Sequence, residues 1–195
     1  MTSRETILTA IKQNKPALLA LPEILVNSYV NQLSLLEEFM GVLTRIGGTP
    51  ILINSLEEVA EDITLGFQTG DRIVNTLSGI SDQNRTMLTA SDALMLEPVY
   101  KVYIEGTIGV AENGSIWLYE SSMVNRLLPF ICQHLVIVLK ADKIVATMHD
   151  AYDQVDTAKE GYGLFIAGPS KTADIEQSLV IGAHGARSLK VFLIQ

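Results

Sequence analysis

Cysteine is almost absent. Cys132 is the only one in 195 residues, so no intrachain disulfide can close. One thiol also cannot ligate an iron–sulfur cluster alone, which draws on several thiolates. Histidine is scarce: His134, His149 and His184 are the three present. None stands at i, i+4 from another, and that spacing offers no structural zinc site. A carboxylate–oxygen site for a hard cation leaves little mark on a sequence and stays open. Long apolar runs are missing, so no stretch reads as a membrane span. The polar opening Met1-Thr2-Ser3-Arg4-Glu5 lacks the apolar core of a signal peptide, and a cytoplasmic protein is expected. Positive charge is in deficit, with 14 Lys and Arg against 22 Asp and Glu and a formal net charge of −8. The basic residues are scattered and form no stripe. Nucleic acid and anionic membrane are therefore not expected as main partners.

What is there is a core-forming composition. Hydrophobic residues make up 48% and charged residues 18%, which favours a compact globular chain over disorder. A single domain over 1–195 is expected, with 1–48 a helical segment at its start. Thr2 and Glu5 form a capping-box pattern before Ile7, Leu8 and Ile11. Lys15-Pro16 ends that helix. A longer helix is expected from Asn27, with Val30, Leu33, Leu36, Phe39, Met40, Leu43 and Ile46 at helical spacing, closed by Gly47-Gly48. Such a stripe is core or an oligomer contact.

Short apolar strands then alternate with helices. Pro50–Ile53, Arg72–Val74 and Ala93–Leu96 read as strands, and Ser55 with Glu58 as the capping box of a helix that runs to about Gly70. Asp82-Gln83-Asn84 reads as a loop. The alternation predicts an α/β domain. Thr107–Ala111 and Ser115–Tyr119 flank Glu112-Asn113-Gly114, a hairpin signal in which Asn113 and Gly114 supply positive φ. His134–Leu139 is almost continuously apolar, as a central strand is, and His134 reads as a strand-entry histidine satisfied by backbone. Cys132 in Phe130-Ile131-Cys132 reads as a packed thiol rather than a nucleophile. Lys143-Ile144-Val145 begins a helix through Met148 and Tyr152. Leu189–Ile194 is a last strand.

The stretch with most chemical content is Gly168-Pro169-Ser170-Lys171-Thr172-Ala173-Asp174-Ile175-Glu176, followed by Gly182-Ala183-His184-Gly185. The apolar run Leu164–Ala167 leads into it, which predicts a strand, a tight turn and a helix capped by Ser170 or Thr172. A helix N-terminus placed there favours an anion. The alternative is a turn and caps with no ligand, since Asp174 and Glu176 complement the helix dipole themselves and oppose an anion. From the residues alone the structural reading leads.

These two stretches resemble the C-terminal signature of the LUD-domain family, the lactate-utilisation proteins of the C type. Ala111-Glu112-Asn113-Gly114-Ser115, Leu128-Pro129 and the strand after His134 extend the resemblance over the C-terminal half. The chain departs from the family pattern at Lys171, where Arg is usual, at Asn113, where Thr is usual, and at Gly106-Thr107, where an Ala-Asp pair is common. Lys keeps the charge of Arg but loses its bidentate fork. The resemblance implies a three-layer α/β fold with a mostly parallel or mixed sheet and N-terminal helices. That is the architecture of ribose-5-phosphate isomerase, CoA transferases and formyltetrahydrofolate cyclo-ligase, in which ligands bind outside the carboxyl ends of the strands.

These residue types bear on several chemistries. Ser170, His184 and Asp174 are the types used in acyl transfer, but Ser170 lacks a Gly-x-Ser-x-Gly elbow, and Gly168–Lys171 is no Walker loop. General acid–base work suits Glu112 and His184. Glu112, Ser170, Lys171, Asp174 and His184 make the expected small-anion or substrate pocket, with Gly168, Thr172 and Gly185 as further ligand-binding positions. No metal ligand is expected. The resemblance implies a subunit or accessory of a bacterial system oxidising L-lactate to pyruvate, its iron–sulfur clusters on separate partner chains and no cofactor here. The alternatives are a stand-alone enzyme or sensor for a small phosphorylated or carboxylated metabolite, and a purely structural adaptor.

Overall fold

Strands form where apolar and β-branched residues run together, and the order of those runs sets the topology. The computed structural model describes residues 2–20, 34–80, 92–156, 158, 160–173 and 179–195. The chain divides into two compact units, Met1–Val30 and Asn31–Gln195. The first holds α1 (Ser3–Gln13), opened by the expected Thr2/Glu5 capping box. The second holds α2 (Leu35–Arg45), β1 (Thr49–Ile53), α3 (Leu56–Gln68), β2 (Ile73–Asn75), α4 (Ala93–Leu96), β3 (Lys101–Glu105), β4 (Ile108–Val110) and β5 (Ile116–Tyr119). It continues with α5 (Glu120–Met123), α6 (Leu128–Ile131), β6 (His134–Lys140), β7 (Ile144–Val145), α7 (Met148–Gln154), β8 (Gly163–Ile166), β9 (Lys171–Ala173), β10 (Leu179–Ile181) and β11 (Ser188–Ile194).

The central sheet has five strands in the order β1-β11-β6-β3-β2, every pair parallel. Alternation sorts its side chains. Ile53, Ile73, Tyr103, Val136, Val138 and Phe192 face α3, where Val59 and Ile63 meet them. Val102, Ile104, Leu135, Ile137, Leu139, Leu189, Val191 and Leu193 face the other way. There they pack with Phe39 and Leu43 of α2, Ile116 and Leu118 of β5, and Leu128 of α6. This two-sided burial is why β6 reads as an uninterrupted apolar run. A second sheet, β7-β4-β5-β8, lies in that third layer. On its far side Ile108, Val110, Trp117 and Tyr119 pack with Ala151 of α7. The α/β class expected from the alternation and the mostly parallel sheet implied by the resemblance are both present.

Local chemistry moved several boundaries. α2 starts at Leu35 behind a Ser34/Glu37 capping box; the start expected at Asn27, like the loop at Asp82–Asn84, lies outside the described residues. Ala93–Leu96 is a helix rather than a strand. Ala, Leu and Met are strong helix formers, and the Asp92 side chain accepts from Met95 N at 3.1 Å. Ser55 makes no side-chain cap for α3; Glu58 instead accepts from Asn54 N at 2.8 Å. Ile144–Val145 is a short strand, and the following helix begins after it, capped by Thr147 with Asp150. The β4–β5 hairpin forms as expected, but only Gly114 takes a positive φ of 69°. Asn113 serves through its side chain, which accepts from Ser115 N at 2.9 Å, an Asx turn. Cys132 is buried, and burial pushes its thiol up to about 12.

Candidate functional site

The Gly168–Gly185 stretch does not fold as the sequence suggests. β8 ends at Ile166, and Gly168 turns the chain at φ 73°, where a Cβ would come within 2.8 Å of the Ile46 carbonyl oxygen. No helix starts at Ser170. Lys171–Ala173 is strand β9, antiparallel to β10, with Thr172 opposite Val180 and Lys171 opposite Ile181. Thr172, Val180 and Ile181 are β-branched and favour the pleated state over a helix. The helix-dipole argument for an anion at this turn therefore falls away.

Two of the expected ligand-binding residues are used by the fold. The Lys171 ammonium donates to the Ile46 carbonyl at 2.5 Å, capping the C-terminal end of α2. Gly168 packs against the same carbonyl. Ser170, Lys171, Thr172, His184 and Gly185 line one cavity of about 360 Å³, together with Phe130, Leu164 and Ile166. Ser170 is tied to the following loop through its backbone: its N–H donates to Ala186 O at 2.9 Å, and its carbonyl accepts from Gly182 N at 3.1 Å. Glu112 is not brought to this cavity. Its carboxylate accepts from Met148 N at 2.7 Å, at the start of α7. Asp174 lies outside the described residues.

His134 is satisfied by a side chain rather than by backbone. Its Nδ1 lies 2.7 Å from Ser188 Oγ, and its ring meets that of Tyr100 edge-on at 4.7 Å.

The sequence reading missed a cavity at the carboxyl edge of the parallel sheet. In open parallel sheets this is where ligands bind. It encloses about 180 Å³ and is lined by Leu56, Leu77, Ser78, Gly79, Glu105, Gly106, Thr107, Val138, Lys140, Lys143 and Ile194. Four of the parallel strands contribute near their ends: residues 77–79 follow β2, Glu105 closes β3, Lys140 closes β6 and Ile194 closes β11. Ser78 donates to Glu105 at 3.3 Å. Ser78, Glu105 and Thr107 also line an adjoining depression with Thr76, Tyr119, Ser121 and Glu160. Gly106 lets the chain pack closely here: a Cβ would sit 2.7 Å from Ile116 and 2.9 Å from Ile137. Two ammonium groups, one carboxylate and two hydroxyls around an apolar floor suit a small polar acid. The signal for this site was present. Ser78, Glu105, Thr107 and Lys140 are the polar residues that follow or end otherwise apolar strands. Among the described residues no three His, Cys, Asp or Glu side chains gather as a metal site, and no helix is long and apolar enough to cross a membrane.

Comparison with known proteins points one way. Residues 99–194 match the LUD domain model. An uncharacterized protein of Neisseria meningitidis serogroup B is 32% identical over 89 residues, 44% of this chain and 38% of that one. Proteins named lactate utilization protein C are similar too. That of Shouchella clausii is 32% identical over 83 residues, covering 40% of this chain and 36% of its own length. That of Deinococcus radiodurans is 32% identical over 90 residues, covering 45% and 42%. The matched region thus spans about two fifths of these curated relatives. The crystal structure of a DUF162 family protein from Deinococcus radiodurans superposes with a TM-score of 0.62 at 18% identity. It covers 83% of this chain and 96% of that one, a likeness of fold.

Proposed function

We propose that this chain, whose residues 99–194 belong to the LUD-domain family, serves a bacterial lactate-utilisation system by binding a small carboxylate at the carboxyl edge of its parallel sheet. The observation that carries the reading is the meeting of Lys140 and Lys143 with Glu105, Ser78 and Thr107 in one cavity. An ammonium pairs with a carboxylate, and a nearby carboxylate accepts from a 2-hydroxyl group. The names of the similar proteins support the same assignment. Oxidation of L-lactate to pyruvate takes two protons and two electrons from C2 and its hydroxyl. In this reading the two electrons and the C2 proton leave to acceptors on separate partner chains, whose iron–sulfur clusters would take the electrons, because the one cysteine here cannot ligate a cluster alone. Glu105 is then the residue placed to hold the hydroxyl proton.

Isothermal titration of the chain with L-lactate and pyruvate tests this. Binding is expected, weakened at least about tenfold, or roughly 1.4 kcal/mol, by Lys143→Met or Glu105→Gln and unchanged by His184→Ala. Loss on His184→Ala alone moves the site to the cavity beside β9 and sinks the proposal. A second reading, a stand-alone sensor or enzyme for a phosphorylated or carboxylated metabolite, is favoured by the cavity being formed within one chain. It predicts ligand turnover or tight binding with no partner, whereas the first predicts co-purification with iron–sulfur chains.

A further inference from the structure

At the opposite, amino-terminal edge of the parallel sheet lies a cavity of about 320 Å³ that the proposed function does not use. Its floor is the α3 side of three adjacent strands. Strand register sets Lys101, His134 and Ser188 side by side, and Tyr103, Val136 and Lys190 in the next row inward. The inner row is closed upon itself. Asp62 of α3 accepts from the Tyr103 hydroxyl at 2.5 Å and from the Lys190 ammonium at 3.0 Å. That network explains why α3 carries a carboxylate over a largely apolar face.

The outer row has no such closure. Neighbouring strands lie about 4.8 Å apart, so an ammonium, an imidazole and a hydroxyl stand within reach of one small group. The Lys101 ammonium is 5.9 Å from the Tyr103 ring centroid, and no acceptor among the described residues takes its hydrogen bonds. His134 Nδ1 and Ser188 Oγ engage each other at 2.7 Å, which leaves Nε2 for a ligand. Helix α3 carries a glycine over this point. A Cβ on Gly66 would lie 2.3 Å from Ile73 Cδ1 and 3.9 Å from Lys101 Nζ. Asp71 also lines the mouth, but the Thr69 hydroxyl holds its carboxylate at 2.8 Å. Burial, then the Lys101 and Arg187 cations, holds the His134 pKa below its usual value against an opposing pull from Asp71.

We propose that Lys101, His134 and Ser188 form a second ligand site, one that takes a compact oxyanion: the phosphate or carboxylate group of a small metabolite. Leu65 of α3 and Val136 of β6 supply apolar surface for the rest of such a molecule. A bound anion favours the imidazolium, so binding strengthens as pH falls through the His134 titration. The charged groups facing that ring are Lys101, Arg187 and Asp71, with Asp62 and Lys190 paired behind them. This site stands apart from the proposed lactate site and does not depend on it.

The test follows the His134 ring by NMR in the full chain, with His134→Gln for assignment, during titration with inorganic phosphate and separately with acetate. A saturable change is expected, with His134 titrating about one unit higher when the site is filled. Lys101→Met should weaken it at least tenfold, and Glu105→Gln at the other edge should leave it alone. A response to phosphate alone assigns a phosphate group; a response to acetate, alone or alongside phosphate, assigns a carboxylate. No saturable change, a change that persists in Lys101→Met, or equal loss in Glu105→Gln overturns the proposal. The wild-type His134 titration keeps the test decisive should Lys101→Met fold poorly.

Discussion

Replacing Tyr103 by Phe removes one hydroxyl from a fully buried ring and nothing else. That hydroxyl donates to Asp62 at 2.5 Å, and Asp62 also holds Lys190 at 3.0 Å. A hydrogen bond to a charged group contributes about 1.5–3 kcal/mol. The Asp62 side chain is 23% exposed, so water replaces part of the loss, and about 1–2 kcal/mol is expected. For a domain of this size that lowers Tm by roughly 2–8 °C. The effect carries a pH signature. Burial alone would raise the Asp62 pKa, but the Tyr103 hydroxyl, Lys190 and Lys101 together bring it below the usual value. A depressed carboxylate pKa stabilises the fold above the unfolded value of about 3.9 and loses that contribution as pH falls through the folded value. The gap between wild type and Tyr103→Phe should be full at pH 5–7 and narrow below about pH 4. Urea melts at pH 7, 5 and 3 read this directly. Equal stabilities at pH 7, or a gap that ignores pH, would refute the argument that Asp62 is held ionised by this network.

Two further outcomes follow from packing. Gly106→Ala places a methyl group against Ile116 and Ile137 and is expected to cost about 1–3 kcal/mol by overpacking, visible as a lower urea midpoint with an unchanged slope. Cys132, buried and pushed up to about 12, should resist a thiol reagent at pH 8 in the native chain and react at once in denaturant; rapid native labelling would contradict its placement.

Most of the architecture was legible because periodicity and burial speak through many residues at once. The apolar run after His134 read as a strand buried on both faces, and Asn113-Gly114 marked the separate β4–β5 hairpin. The errors fell where few residues decide. Ala93–Leu96 is four apolar residues long, and at that length strand and helix look alike until a cap such as Asp92 settles the matter. After Gly168 the turn was read correctly and the next element was not, because β9 owes its state to pairing with β10, a contact invisible in local sequence. The candidate site suffered from the same blindness. Ser170 and His184 were expected to meet, and they line one cavity, but Lys171 is taken by α2 and Glu112 by α7. Ser78, Glu105 and Lys140 went unnoticed because they lie far apart in the chain. Only strand order brings them to one edge.

That strand order also has a consequence in time. Strand β1 sits at the rim of the sheet, and its one neighbour among the described residues is β11, with Thr49 beside Lys190 and Ile53 beside Ile194. During synthesis, β1 leaves the ribosome long before its partner is made. The other three strands of that sheet can associate among themselves while β1 waits with both edges bare. Pairings of such long sequence separation form slowly, and an unpaired edge is a site for wrong association. The nascent chain therefore passes through a stage in which its vulnerable surface lies near the beginning and its remedy is still untranslated.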